Sequence, residues 1–356
     1  MAGHRLVVRL DSMGDMLAAG PAIRAVAAGA DRVTVLCGPG GVAAASVLPG
    51  VDATVVWACP WIVHSPPAVS RSEVDDLVDR IAHLRVDQAV ILTSFHQSPL
   101  PTALLLRLAG VPWIAAASED YPGSLLDARL PVAGDAPEPV RMLQTVRAVG
   151  FELPVGDDGR LRVRRPLPNV DGVLPTGSRA PLVVVHPGTS APARAYPEPL
   201  WASAVDRLLE DGWRVALTGD PGERLLTRRI VDAAGRADAA RLFDLAGWLD
   251  LPQLAAVLDR AEVTVVANTG PAHLSAAVGT PVVSLFAPVV SALRWAPFGV
   301  PVQLLGDQDA PCRDTRWTTC RIARHPCLSS VSADQIASAA RQLAASDPAP
   351  LEASRP

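Results

Sequence analysis

Three short turns carry most of the side chains able to do chemistry, and each lies between an apolar run and a helix-forming one. The first is Asp11-Ser12-Met13-Gly14-Asp15, where Gly14 lets the backbone turn tightly. Asp15 then falls at or next to a helix N-terminus. A carboxylate there can accept a proton from a bound hydroxyl, although the helix dipole lowers its pKa and weakens it as a base. A plain helix cap explains Ser12 and Asp15 equally well. The second turn runs from His186 to Pro197 and places Thr189 and Ser190 near Arg194. Two hydroxyls and a permanent cation can surround a phosphate, and a rigid proline-rich loop with a solvated arginine is the alternative. His186 can carry a proton or can simply pack and hydrogen-bond at its strand end. The third is Asn268-Thr269-Gly270-Pro271-Ala272-His273, in which a proline opens a helix and leaves backbone N–H groups free. Such an end binds a diphosphate without lysine. His273 lies inside that helix, and no catalytic part follows from its position.

Other segments are less specific. Asp220 and Glu223 follow a strand and can accept hydrogen bonds from ribose hydroxyls, or they can cap the helix after them. Arg294 and Trp295 follow the last strand of the second half. Asp307-Gln308-Asp309 spells a metal-binding triplet in a late loop and reads as a solvated turn. Cys312, Cys320 and Cys327 with His325 lack the short Cys-x2-Cys pairs of zinc sites, so buried thiols, a disulfide and a structural metal all stay open.

Strands and helices must position these turns, and the sequence alternates them twice. In the first half Leu6–Leu10, Arg32–Cys37, Ala53–Trp57 and Gln88–Thr93 read as strands, with helices over Met16–Ala28 and Ser72–Leu84. A Gly-, Pro-, Asp- and Arg-rich stretch, Gly156–Ser178, reads as the linker. The second half restarts with strands at Pro181–Val185, Arg214–Thr218, Val263–Ala267 and Pro281–Phe286 and helices at Pro199–Asp211, Glu223–Ala234, Pro252–Ala261 and Pro271–Val278. This is an α/β chain of two Rossmann-like, doubly wound domains facing a central cleft at their strand ends.

Composition narrows the chemistry. All 32 basic residues are arginine, against 36 acidic ones and a net charge of −4. Without lysine there is no Lys-closed phosphate loop and no Schiff base. The charge balance gives no reason to expect nucleic acid, and aromatics at 4% argue against a base-stacking platform. Five cysteines and a charged, strand-like start suggest a cytoplasmic protein, with a peripheral membrane contact left open.

Taken together, the three turns resemble glycosyltransferase family 9, the heptosyltransferase-like family with the GT-B fold. Val7 to Asp15 is similar to the family's strand-Ser-x-Gly-Asp turn. Pro187-Gly188-Thr189 to Pro197 is similar to its Pro-Gly-x-Ser loop, and Asn268-Thr269-Gly270-Pro271-Ala272-His273-Leu274 to its Asp-Thr-Gly-x-x-His-Leu signature. Leu217–Glu223 and Leu245–Leu249, with Trp248, fall where the family holds the nucleoside.

The resemblance implies an acceptor-binding domain over 1–165 and a donor-binding domain over 176–345, while the polar stretch 346–356 itself reads as a flexible tail. It implies inverting, metal-independent transfer of a sugar, typically heptose from ADP-heptose in lipopolysaccharide biosynthesis, with no cofactor. The acceptor is a hydroxyl of a glycan, a glycolipid or a small molecule. Asp15 matches the catalytic carboxylate, with Ser12 and Gly14 forming its turn. Thr189, Ser190, Arg194, Asp220, Glu223, Trp248, Asn268, Thr269, Gly270 and His273 would bind the donor. Two positions depart from the family: Arg194 stands where lysine is usual, and Asn268 where aspartate is. A guanidinium holds two phosphate oxygens but cannot donate a proton at neutral pH. These departures favour one rival, a nucleotide-sugar-binding protein without catalysis, while Asp15 opposes it. A nicotinamide-dependent oxidoreductase is disfavoured because the first turn has a single glycine.

Overall fold

A computed structural model describes residues 3–63, 65–132, 134–174, 178–234 and 240–346 of the 356-residue chain. The chain divides into two compact units, Met1–Arg164 and Arg165–Pro356. The 346–356 tail lies outside the described residues apart from Ser346.

The first unit is a parallel sheet of β1 (His4–Arg9), β2 (Arg32–Cys37), β3 (Ala53–Val56), β4 (Gln88–Ile91), β5 (Ile114–Ala117) and β6 (Ala128–Leu130). Its strand order is β3-β2-β1-β4-β5-β6. Helices α1 (Met13–Ala18), α2 (Gly20–Ala28), α3 (Val42–Val47), α4 (Arg71–Leu84), α5 (Leu100–Leu108) and α6 (Glu138–Arg147) flank it. The second unit repeats the plan with β7 (Leu182–His186), β8 (Arg214–Leu217), β9 (Leu242–Asp244), β10 (Val263–Ala267), β11 (Val282–Leu285) and β12 (Val302–Leu305), ordered β12-β11-β10-β7-β8-β9. Its helices are α7 (Glu198–Glu210), α8 (Arg224–Ala233), α9 (Leu251–Asp259), α10 (Gly270–Val278), α11 (Ala292–Trp295), α12 (Pro326–Ser329) and α13 (Ala333–Ala344).

Central strands are buried along their whole length because helices cover both faces of a parallel sheet. Every residue of β7 and of β10 is buried, which is why both read as unbroken apolar runs rather than alternating ones. In each unit the strand order reverses between the first and fourth strands: β1 and β4 in one, β7 and β10 in the other. Loops leaving the carboxyl ends of those strands diverge to opposite faces, and the opening between them is where such folds place ligands.

Three expectations need correction. The first helix starts at Met13, not Met16, so Asp15 lies in its first turn, and the helix breaks at Ala19 into α1 and α2. The boundary between the units, at Arg164 and Arg165, falls within Gly156–Ser178, but the early part of that stretch packs onto the first unit. Asp157 is buried in an ion pair with Arg24, donated from Nε at 2.7 Å, Leu161 and Val163 are buried, and Arg164 donates its N–H to Val47 O at 2.7 Å. Glycine and proline punctuate that stretch without freeing it. Several elements were missed: β5, an Ile-Ala-Ala-Ala strand with little β signal, and α5, α6 and α13, which follow the last recognised strand of each unit.

Candidate functional site

In the first unit the site grows from the end of β1. Arg9 is its last residue and is fully buried, an expensive place for a charge unless it is paired and hydrogen-bonded. Its Nη2 donates to Asp15 Oδ1 at 2.7 Å and to Ser94 Oγ at 3.0 Å, and its Nε lies 3.3 Å from Asp11 Oδ2. Ser12, the N-cap of α1, donates its N–H and its Oγ–H to Asp15 Oδ2 at 3.2 and 2.5 Å. Burial pushes the Asp15 carboxyl up, but Arg9 and both Ser12 donors outweigh it and hold Asp15 below the usual carboxylate range. Asp11 is pushed the other way, by burial and by the neighbouring Asp15 charge, although Arg9 and Gln97 oppose this. Gln97 donates to Asp11 Oδ1 at 2.6 Å and accepts from Ser94 N–H at 3.0 Å, which ties the β4 loop to the β1 loop. Three donors on Asp15 leave about one of the four lone-pair sites of a carboxylate for a ligand.

The second unit places a histidine, not an arginine, at the equivalent strand end. His186 ends β7, and its Nδ1 lies 3.0 Å from Thr218 Oγ1. Burial lowers its pKa to about 4, so the ring is neutral at ordinary pH even with Glu223 Oε2 at 3.6 Å from Nε2. This is local packing and hydrogen bonding. The Asp220 carboxylate accepts the N–H groups of Gly222 and Glu223, while Glu223 Oε2 accepts the Asp220 N–H at 2.9 Å. The pair thus forms a reciprocal cap on the turn before α8. Burial raises the Glu223 pKa, and Gly188 leaves room for its carboxylate, which a Cβ there would displace.

The loop after β7 turns through a short 3-10 helix that ends at Arg194, which is partly exposed. It is held from outside: Ala193 N–H donates to Thr318 O at 2.9 Å, and His325 Nε2 lies 3.1 Å from Ala193 O. A cavity of about 540 Å³ adjoins it, with Gly188, Thr189, Glu223 and His325 in its wall. Ser190 is exposed.

Beyond β8, Trp248 presents an exposed indole with the Arg224 guanidinium 5.5 Å from its ring centroid. Arg224 also donates to Ala246 O and Gly247 O at 3.2 and 2.6 Å. Gly247 sits at φ +69°, and a Cβ on it would overlap that guanidinium. At the end of β10, α10 begins with Thr269 as N-cap and no side-chain cap. Its first-turn N–H groups are therefore uncapped by side chains, the arrangement that receives anions. Asn268 is 4% exposed, and its Nδ2 has no hydrogen-bond partner among the described residues. His273 is buried within α10.

Parallel register brings these turns together. Val266 of β10 pairs with His186 of β7, and Val185 pairs with Leu217 of β8, so the loops with Thr189, Asp220 and Asn268 leave one sheet edge side by side. Sequence reading missed Arg9, Ser94, Gln97 and Arg224. Only Arg9 left a signal, as a charge inside an apolar strand. Asp307-Gln308-Asp309 is a turn, with Asp307 Oδ1 accepting Asp309 N–H and Asp309 paired to Arg313. Cys312 and Cys327 are buried thiols of the core, and burial and the neighbouring Cys312 push Cys327 up to about 12. No helix among the described residues is long and apolar enough to cross a membrane.

Residues 155–324 match the model of glycosyltransferase family 9 (heptosyltransferase). The chain is 33% identical over 234 residues to lipopolysaccharide heptosyltransferase 1 of Pseudomonas aeruginosa, covering 63% of this chain and 61% of that protein, less than two thirds of its length. Its fold is similar to that of the E. coli ADP-heptose lps heptosyltransferase II, with TM-score 0.70, 19% identity and coverage of 97% and 98% of the two chains. The E. coli heptosyltransferase WaaC with ADP gives TM-score 0.66 at 18% identity, covering 95% and 97%. Two doubly wound sheets of the GT-B kind, the family match over residues 155–324 and the heptosyltransferase relative together make the chain similar to glycosyltransferase family 9, the heptosyltransferase-like family.

Proposed function

We infer that the protein is an inverting, metal-independent glycosyltransferase that moves a heptose or related sugar from a nucleoside diphosphate to an acceptor hydroxyl. The observation that carries the reading is the neutral strand end of the second unit. Uncapped N–H groups open α10 there, and beside them Asn268 keeps a buried donor without a partner. Donors arranged in advance at a water-poor strand end suit a diphosphate, whose charge grows as the glycosidic bond breaks. Arg194, Thr189 and Ser190 add a cation and two hydroxyls on the neighbouring loop. Trp248 with Arg224 stacked on it offers the nucleoside a flat face. Asp220 and Glu223 serve first as a turn cap, and Glu223 keeps one oxygen for a ribose hydroxyl.

The reaction forms a bond from the acceptor oxygen to the anomeric carbon and breaks the bond from that carbon to the diphosphate. The leaving diphosphate takes the electron pair, and the acceptor proton passes to Asp15. Arg9 keeps Asp15 ionised and fixes its direction, at the cost of basicity. Such a base accepts the proton late, once bond formation has acidified the hydroxyl. Arg194 stabilises the leaving group electrostatically and supplies no proton. Localisation in the cytoplasm and a peripheral membrane contact belong to the same reading.

The direct test incubates the protein with a panel of nucleoside diphosphate sugars and follows donor hydrolysis and transfer. One donor should turn over, and its affinity should fall about tenfold or more in Arg194→Ala, the loss of a charge-assisted contact. Binding without turnover of any donor would instead favour the catalytically inactive nucleotide-sugar-binding protein.

A further inference from the structure

The loops after β4 and β5 enclose a cavity of about 190 Å³ entirely within the first unit. It is smaller than the roughly 300–1,000 Å³ of drug-sized sites, which suits a group the size of one sugar ring. It adjoins the Asp15 cluster, because Ser94 and Gln97 line it and also hold Arg9 and Asp11. The lining is polar, with Ser94, Ser118 and Arg141 buried and Ser98, Glu119 and Asp120 exposed. Ser94 is 2% exposed and accepts from Arg9, and no acceptor among the described residues takes its own proton. That unsatisfied buried donor faces a space a ligand oxygen can fill.

The charges around the cavity are unequal. Glu119 and Asp120 stand exposed at its wall with no ion-pair partner among the described residues. The one arginine in the lining, Arg141, is neutralised by Glu138 at 2.6 Å and also donates to Thr93 O. Arg129, just outside, donates to the carbonyls of Ser118 and Glu119. Arg9 is already shared between Asp11 and Asp15. Among the described residues Arg129 keeps its charge just outside the cavity, against the two carboxylates of Glu119 and Asp120 at the wall, so the balance of fixed charge there is negative and disfavours an anion.

We propose that this cavity is the acceptor subsite and that it takes a neutral polyhydroxylated group, such as an uncharged sugar ring, in preference to a phosphorylated or carboxylated one. The inference rests on the glycosyl-transfer reading and adds the charge class of the acceptor.

The test uses the full-length protein and its backbone amide resonances. Methyl mannoside is the neutral probe, and mannose 6-phosphate is its anionic counterpart. The glycoside should shift the amides of Ser94, Gln97 and Ser118, and the phosphate should bind about fivefold or more weaker at low salt. In the double variant E119Q/D120N the gap should close to within about twofold, as it should in wild type at about 0.5 M salt. Equal or tighter binding of the phosphate, a gap that survives the double variant, or shifts absent from those three amides would each overturn the proposal. ADP, GDP, UDP and CDP titrated in turn into the same samples separate the two levels. ADP, GDP, UDP or CDP shifts at Thr189 and Thr269 without glycoside shifts at Ser94 sink the acceptor inference alone, whereas no response to any of these nucleotides sinks the glycosyl-transfer reading.

Discussion

Arg9 and His186 occupy the same place in two sheets of the same strand order. Each is the last residue of the first strand of its unit, beside the point where the order reverses. Arg9 is a buried permanent cation with two carboxylates on it, and a charged knot results: one guanidinium fixes Asp11, Asp15 and Ser94. His186 is buried and neutral, its partner is a threonine hydroxyl, and the neighbouring N–H groups of α10 stay open. The same scaffold thus presents a directed carboxylate in one half and a set of neutral donors in the other. A base must keep its negative charge near a hydroxyl, whereas a diphosphate must find hydrogen-bond donors.

The contrast can be broken most sharply at Asp15. Asp15→Asn keeps the shape and removes the base, so kcat should fall about 10²–10⁴-fold while calorimetric ADP affinity stays within about twofold. Near-normal turnover would leave Asp15 as a helix cap and nothing more. Next in size is Arg9→Met, which strands two buried carboxylates. It should destabilise the first unit by about 3–5 kcal/mol in denaturant unfolding, and a neutral outcome would show that the knot is solvated.

The pH responses of the two halves should also differ. The His186 pKa is lowered from 6.5 to about 4 by folding, so the unfolded chain binds the proton more readily. Stability from this group is complete above about 6.5 and is lost as pH falls toward about 4. Between about pH 7 and pH 5 the loss is about 2 kcal/mol, and amide exchange of β7 should record it in wild type but not in His186→Gln. Asp15 is depressed as well, but its stabilisation is complete above the ordinary carboxylate range and is lost only as pH falls through that range toward its lowered pKa, so β1 should show no such loss between about pH 7 and pH 5. The smallest expected effect lies at Asn268. Replacing this unsatisfied buried donor by leucine should raise the stability of the second unit by about 1–2 kcal/mol while weakening nucleotide binding. If stability falls instead, Asn268 is a structural residue.

Much of this was legible in the sequence, for identifiable reasons. β7 and β10 announced themselves as unbroken apolar runs because they are covered on both faces. The turn with Asp15 and the Asn268-Thr269-Gly270-Pro271 helix start are local signals that no distant residue has to complete. β5 and α5 were illegible because alanine and leucine suit either structure, and only their neighbours in the sheet decide. Gly156–Arg164 misled because glycine, proline and charge look the same in a free linker as in a strap. It packs because Asp157 meets Arg24, which lies 133 positions away in the chain.

The sequence by itself determined the two-fold repeat of the α/β pattern, the polar turns and the absence of lysine, all of which depend on residue type and short spacing. Tertiary structure decided which charges are live. Arg9 is drawn onto Asp11, Asp15 and Ser94, Asp220 and Glu223 cap each other, and Glu119 and Asp120 have no ion-pair partner among the described residues. Those states depend on burial and on partners from distant strands, and a charge's effect on chemistry is set by its surroundings more than by its identity.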